Sequence, residues 1–273
     1  MKKLRYSILL LLIILLSSTT YGQVYNKQDK KFRHWQKAQR FKKKYRYWMI
    51  GASVGTTTYK GDLNPDSHVF STKISSSRLN LGAHLIWRYA PRVNFRTSLS
   101  YGRITGDDAE NASPGTPRYN RNLSFVNDIY EFKVGVIIDY FQNRKTMRRR
   151  MNWTPYGFLS IGAIYHTPKA RYEGNTYNLR KLGTAGQNLD GGKGAYSSIG
   201  MVVPFGVGIR YKINNAFDIS FEFGARLTFT DYLDDVGDKY YVDKERLGGP
   251  TDIAVILSDR SPERDGATVT VDG

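Results

Sequence analysis

Few residues in this chain are of types that do chemistry. There are four histidines, His34, His68, His84 and His166, and no cysteine. Without cysteine there is neither a disulfide framework nor a thiolate metal site. No two histidines are spaced as a metal-binding pair. His84 is the most interesting, because a strand reading sets it beside Ser98 or Ser100 of the next strand. A barrel hydrolase acting on lipid would pair a serine with such a histidine and an acid. The plainer expectation is a hydrogen-bonded interior imidazole. Asp231, Asp234 and Asp235 offer the oxygens that calcium prefers, although a hydrogen-bonded loop turn explains them as well. Gly191, Gly192 and Gly194 do not follow a strand at phosphate-loop spacing, so no nucleotide site is assigned. We therefore expect no catalytic residue, cofactor, metal or small-molecule substrate.

The elements that would position these residues are strands. From Phe217 to Phe229, the odd positions are Phe217, Ile219, Phe221, Phe223, Ala225, Leu227 and Phe229, and the even ones are small, polar or charged. A period of two separates such faces cleanly, whereas a helix would scatter them. The same alternation recurs near 48–61, at 78–90, 93–104, 129–141 and 201–211, and in 155–166, where the pattern leaves the outward face open. Pro91-Arg92 and Asn214-Asn215 mark short turns. Long polar connections cover 62–77, 106–122 and 167–197, the last about thirty residues long; such a length is functional or disordered.

The formal net charge of +17 would suggest nucleic acid in a cytoplasmic protein. The N-terminus argues for export instead. Lys2, Lys3 and Arg5 precede nine apolar residues, Ile8 to Leu16, and a small-residue stretch ends at Gly22. Residues 1–22 thus read as a signal peptide, too short to span a bilayer. Residues 23–46 form a basic arm, in which Lys42, Lys43 and Lys44 are the densest run. Residues 47–273 form the β-domain.

Three features predict a membrane barrel rather than a soluble one. Charges such as Arg88, Arg96, Glu131, Asp139, Glu222 and Arg226 share one face, while the other is apolar. Tyrosine and tryptophan cluster at strand ends, as in interfacial girdles. Short and long connections alternate. The predicted fold is all-β, a small transmembrane antiparallel barrel of about eight strands in the outer membrane. Seven strands are clear. The eighth would come from 253–257, from 267–271, or from a closing strand that we expect the given sequence to lack.

Five stretches carry a family resemblance: TTTYKGDLN at the end of the first strand, PYGFLSIGAIYHTPKARYEG, the LGTAGQ segment, VPFGVGIRYKINN, and FEFGARLTFTDYLDDVGDKY. Together they resemble the PorG-type outer-membrane protein of the Bacteroidetes type IX secretion system, over about residues 47–262. Thr230, Asp231, Tyr232, Leu233, Asp234 and Asp235 are the most distinctive part. The resemblance implies a non-enzymatic component of the protein secretion machinery, held in outer-membrane lipid and associated with a periplasmic ring of lipoprotein and partner subunits. It carries over no catalytic residue. A generic small barrel for adhesion or transport, or a lipid-modifying hydrolase, are the alternatives. The expected docking surface comprises Arg144, Lys145, Arg148, Arg149 and Arg150 with Lys42, Lys43 and Lys44, a positive patch suited to an acidic partner.

Overall fold

The computed structural model describes residues 43–61, 63, 77–112, 115–184, 196–230, 232–236, 247 and 252–264. The expected signal peptide, nearly all of the basic arm, the glycines at 191–194 and the 267–271 segment lie outside them. The long strands are β1 (Trp48–Thr57), β2 (Arg78–Arg88), β3 (Val93–Asp107), β4 (Ser124–Asp139), β5 (Trp153–Tyr172), β7 (Ile199–Lys212) and β8 (Asp218–Thr228), and β6 (Asn175–Asn178) is a short one. They form one antiparallel sheet in the order β1-β2-β3-β4-β5-β7-β8, with β6 paired to the far end of β5. No helix among the described residues is long and apolar enough to cross a membrane.

The alternation works as the sequence predicts. On β3, Asn94, Arg96 and Ser98 are buried while Phe95 and Leu99 are exposed. β5 resolves its open face in the same way: Thr154, Tyr156, Ser160, Ile164 and His166 point inward, and Leu159, Ile161 and Tyr165 outward. The sheet curls into a half-barrel around the inward set. Curling brings β8 against strands that it does not pair with. Glu222 reaches Arg96 of β3 at 2.5 Å and accepts a hydrogen bond from Tyr156 of β5 at 2.7 Å. The ladder between β5 and β7 lapses opposite Pro204, which has no N–H to give.

No ladder joins β1 and β8 among the described strands. Both run in the same direction, because each of the seven long strands reverses the last. A strand pairing with both would have to run antiparallel to each. The candidate at 253–257 does not supply it. Ile253–Ser258 is a helix, α4. Asp252 caps it by accepting from the Ala254 amide at 2.9 Å, and Ile256 and Leu257 sink into the core. A five-residue apolar run has no periodicity to tell strand from helix; the cap decides.

The expected structureless loop at 167–197 is also corrected. β5 continues to Tyr172 and turns back through Glu173 and Gly174 into β6. Both turn residues have positive φ, 47° and 81°. That is the signature of a type I′ hairpin turn, and glycine at the second position makes it cheap. The short helix α3 (Leu179–Leu182) follows.

The two ends of the barrel differ. One has the short connections 89–92, 140–152 and 213–217. The other gathers the long ones, with α1 (Asp108–Asn111), α2 (Pro117–Arg121), α4 and α5 (Ser261–Arg264). The larger apolar core sits at this second end, built from Leu63, Ile104, Phe125, Tyr172, Val202, Leu233, Val236 and Leu257 among others.

Inside the barrel, Phe158 lies against a glycine pair. Gly206 and Gly224 are in register on β7 and β8. A Cβ added at Gly206 or Gly224 would fall 2.3 or 2.4 Å from the facing backbone carbonyl, of Phe223 or Phe205, and 2.8 or 2.9 Å from the Phe158 ring. Replacing Gly224 with leucine is therefore expected to strain the β7–β8 ladder at the Phe205 carbonyl, push Phe158 aside and cost about 1–3 kcal/mol, as overpacking does. The urea midpoint followed by tryptophan fluorescence should fall accordingly, and it should fall less when Phe158→Ala is combined with it.

Candidate functional site

Three clusters of polar side chains stand out, one in the lumen and one at each end. The lumen cluster follows from strand alternation. Glu131 on β4 receives Lys133 at 2.8 Å and Arg226 of β8 at 3.0 Å, with the Ser100 hydroxyl at 3.4 Å. Asp139 lies 3.6 Å from Arg88 and 3.8 Å from Arg210. The Arg96 guanidinium stacks 4.7 Å over Phe158 while bonding Glu222. Each of these charges thus has an oppositely charged neighbour, which offsets part of the cost of its burial.

His84 does lie opposite Ser98 in the β2–β3 ladder. Among the described residues, however, no hydrogen bond joins the imidazole to a serine, and Ser100 is turned to Glu131. The geometry thus assembles no nucleophile–base pair here. No cluster of metal-ligating side chains occurs among the described residues.

At the long-loop end, Tyr232 to Val236 is held by contacts to Tyr59, Asn127, Thr184 and Tyr196. Tyr232 stacks on Tyr196 with centroids 4.4 Å apart. The Leu233 carbonyl accepts from Asn127 at 2.7 Å. Asp234 accepts from the Tyr59 hydroxyl at 2.6 Å and from the Val236 amide at 3.2 Å. Asp235, in the left-handed region at φ 64°, accepts from Tyr196 at 2.5 Å and from the Thr184 hydroxyl. Asp231 lies outside the described residues. The described aspartates thus spend their oxygens on hydroxyl and amide donors. Tyr59 belongs to TTTYKGDLN and Thr184 to LGTAGQ, so three of the segments that carry the resemblance meet at one place. Spacing could not have shown these partners, since Tyr59 and Asp234 are 175 positions apart.

At the short-loop end, the docking residues divide. Arg144, Lys145, Arg148 and Arg149 are exposed, as is Lys43 in the turn Lys43–Tyr45, which also contains Lys44. Lys42 lies outside the described residues. Arg150 is buried, which corrects its place in the expected surface. Its Nε donates to both Asp218 oxygens at 2.9 and 3.0 Å, and its other nitrogens to the carbonyls of Met147, Asn214, Asn215 and Phe217. It clamps the 140–152 connection to the 213–217 turn. Sequence showed a basic run; it could not show which member the fold consumes.

Burial pushes the Asp235 carboxyl up to about 6, against the pull of its two hydroxyl donors. The folded state thus holds this proton more tightly than the unfolded chain. Its contribution is full below about pH 4 and is lost as pH rises through about 6, on the order of 3 kcal/mol in all. Asp235→Asn should flatten that pH dependence between 4 and 6 and make the cap relatively more stable at pH 8. Hydrogen-exchange protection of the 232–236 amides, compared across that range, checks it.

No curated protein and no solved structure matches the chain. A family model described as a domain of unknown function, DUF6089, matches residues 39–244, about three quarters of the 273-residue chain and every long strand of the half-barrel. The chain belongs to the DUF6089 family.

Proposed function

We propose that this protein is a non-enzymatic outer-membrane barrel that anchors periplasmic partners of the type IX secretion machinery. The observation that carries the membrane reading is the inversion of the sheet. Its interior holds ion pairs, and its exterior is apolar. Ile50, Val54, Leu99, Phe132, Ile161, Val207 and Phe221 are all exposed. A surface this continuous marks a membrane or an interface. Aromatic rows bound it on both sides. Trp48, Trp87 and Phe95 stack in sequence toward the short-connection end, with centroids 5.6 and 5.9 Å apart. Tyr101, Tyr130 and Tyr165 make the other row, at 5.3 and 6.5 Å. On β5, Trp153 and Tyr165 delimit the band, roughly 40 Å along the strand and about 30 Å along the normal at usual tilts, close to a hydrocarbon thickness.

Two observations support the anchoring role. The exposed arginines and lysine of 144–149 project from the short-connection end, which is the periplasmic side of such barrels. Three of the segments on which the resemblance rests meet in one cap held by hydroxyl-to-carboxylate hydrogen bonds, in keeping with a scaffold. A generic adhesion or transport barrel shares the inversion but gives no role to the basic connection.

Leu99 separates a membrane barrel from a soluble one. It is 62% exposed, so Leu99→Arg would be nearly neutral in water. In a bilayer it should cost about 2–4 kcal/mol near the midplane. The folded yield in lipid vesicles should therefore drop sharply; an unchanged yield argues against the membrane.

Secretion itself is tested by deletion and by charge. Loss of the gene should stop export of cargo bearing C-terminal sorting domains. Arg148→Glu with Arg149→Glu should weaken co-purification of an acidic periplasmic partner while leaving the barrel folded. Arg150→Ala should instead lower stability. Normal export after deletion would refute the secretion role, and unchanged recovery of the partner would refute this docking surface.

A further inference from the structure

The outward face of β3, β4 and β5 is not uniform. A groove of about 640 Å³ opens there, lined by Leu99, Phe132 and Ala163 beneath Tyr101, Tyr130 and Tyr165. It exists because Ala163 stands in register between Phe132 and Met201, where a small side chain leaves room between large ones. Immediately beyond the tyrosines, the outward positions of the same strands turn charged. The Tyr101 hydroxyl and Arg103 Nε both donate to Asp128 Oδ1, at 2.8 and 2.7 Å. Lys169 Nζ lies 3.8 Å from Asp128 Oδ2. Arg171, two residues further along β5, is exposed. Two cations, Arg103 and Lys169, thus flank one carboxylate, and their side chains remain 45% and 40% accessible, with Arg171 a third cation further along the strand.

An apolar slot with excess positive charge at one end has the polarity of an amphiphile. We propose that this face binds an anionic phospholipid, with an acyl chain in the groove and the headgroup phosphate on Lys169, Arg171 and Arg103. The proposal rests on the membrane reading above. The occupant follows from charge complementarity: the cations lie just outside the apolar band, at headgroup level, while the groove lies within it. An acidic protein would match the cations and leave the groove unused. A neutral lipid would fill the groove and leave the positive charge in excess of Asp128 unmatched. The tyrosine row sits at the joint between the two, where amphipathic rings are favoured.

The test uses the full mature chain, reconstituted in nanodiscs and then released for native mass spectrometry. The discs contain equal phosphatidylglycerol and phosphatidylcholine of identical acyl chains. The wild type is expected to retain phosphatidylglycerol preferentially. Lys169→Gln with Arg171→Gln should lower that retention about fivefold per charge removed, without affecting phosphatidylcholine. Ala163→Phe should reduce retention of both lipids by filling the groove; it lies on the outer face, so the barrel still folds. Equal retention of the two lipids by the wild type would overturn the proposal. So would retention indifferent to either variant, or capture of an acidic peptide at this face in place of lipid. A protein that stays out of the discs altogether would overturn the membrane reading, and this site with it.

Discussion

Glu222 holds the curl of the sheet. It sits on β8, which has no strand beyond it among those described, yet it reaches across the lumen to Arg96 of β3 and Tyr156 of β5. Four residues along, Arg226 reaches Glu131 of β4. A flat sheet of the same sequence would separate Arg226 from Glu131 and Glu222 from Arg96. Stranding one partner of a buried pair costs several kcal/mol, so curvature and charge pairing stabilise each other. Glu222 is itself about a third accessible, which discounts its share. The inversion of polarity follows directly. Once the charged face curls inward to satisfy itself, the apolar face has no choice but to look outward.

The two ends resolve different problems. At the long-loop end, irregular backbone and short helices need a core of their own, and they build one around Leu233, Val236, Ile256 and Leu257. Asp234 and Asp235 then tie the 232–236 segment to Tyr59, Thr184 and Tyr196. At the short-connection end there is little apolar material, and buried arginines do the work. Arg88 donates to the carbonyls of Pro91 and Asn143, as Arg150 does around Asp218. A guanidinium offers five donors in a fixed fork, which suits it to gather several carbonyls at once. The exposed basic residues between these clamps are thereby held on a fixed base, which is what a docking surface of the proposed kind requires.

Much of the barrel was legible in the residues. Alternation located all seven long strands because lipid-facing or solvent-facing side chains and lumen side chains must differ in polarity at every step. Strand length was less legible. β3, β4 and β5 run beyond the apolar band into the cap, where Ile104, Phe125 and Ala170 face a core rather than a lumen, and the binary pattern blurs. The hairpin at Glu173-Gly174 was missed inside a glycine-rich stretch that reads as loop. The 253–257 run reads as one candidate strand because its decisive feature is a cap at Asp252, outside the run itself.

The sequence by itself determined the period-two pattern, and with it the all-β class, the direction of each strand and the separation of charged from apolar faces. These depend on neighbours along the chain, two residues apart. Tertiary structure alone decided which arginine of 144–150 is buried, which hydroxyls serve Asp234 and Asp235, and where the outer face carries a groove. Those outcomes depend on side chains brought together by curvature and register across strands. A contact between Tyr59 and Asp234, or between Arg96 and Glu222, exists only after the sheet has curled, and no local spacing encodes how far it curls.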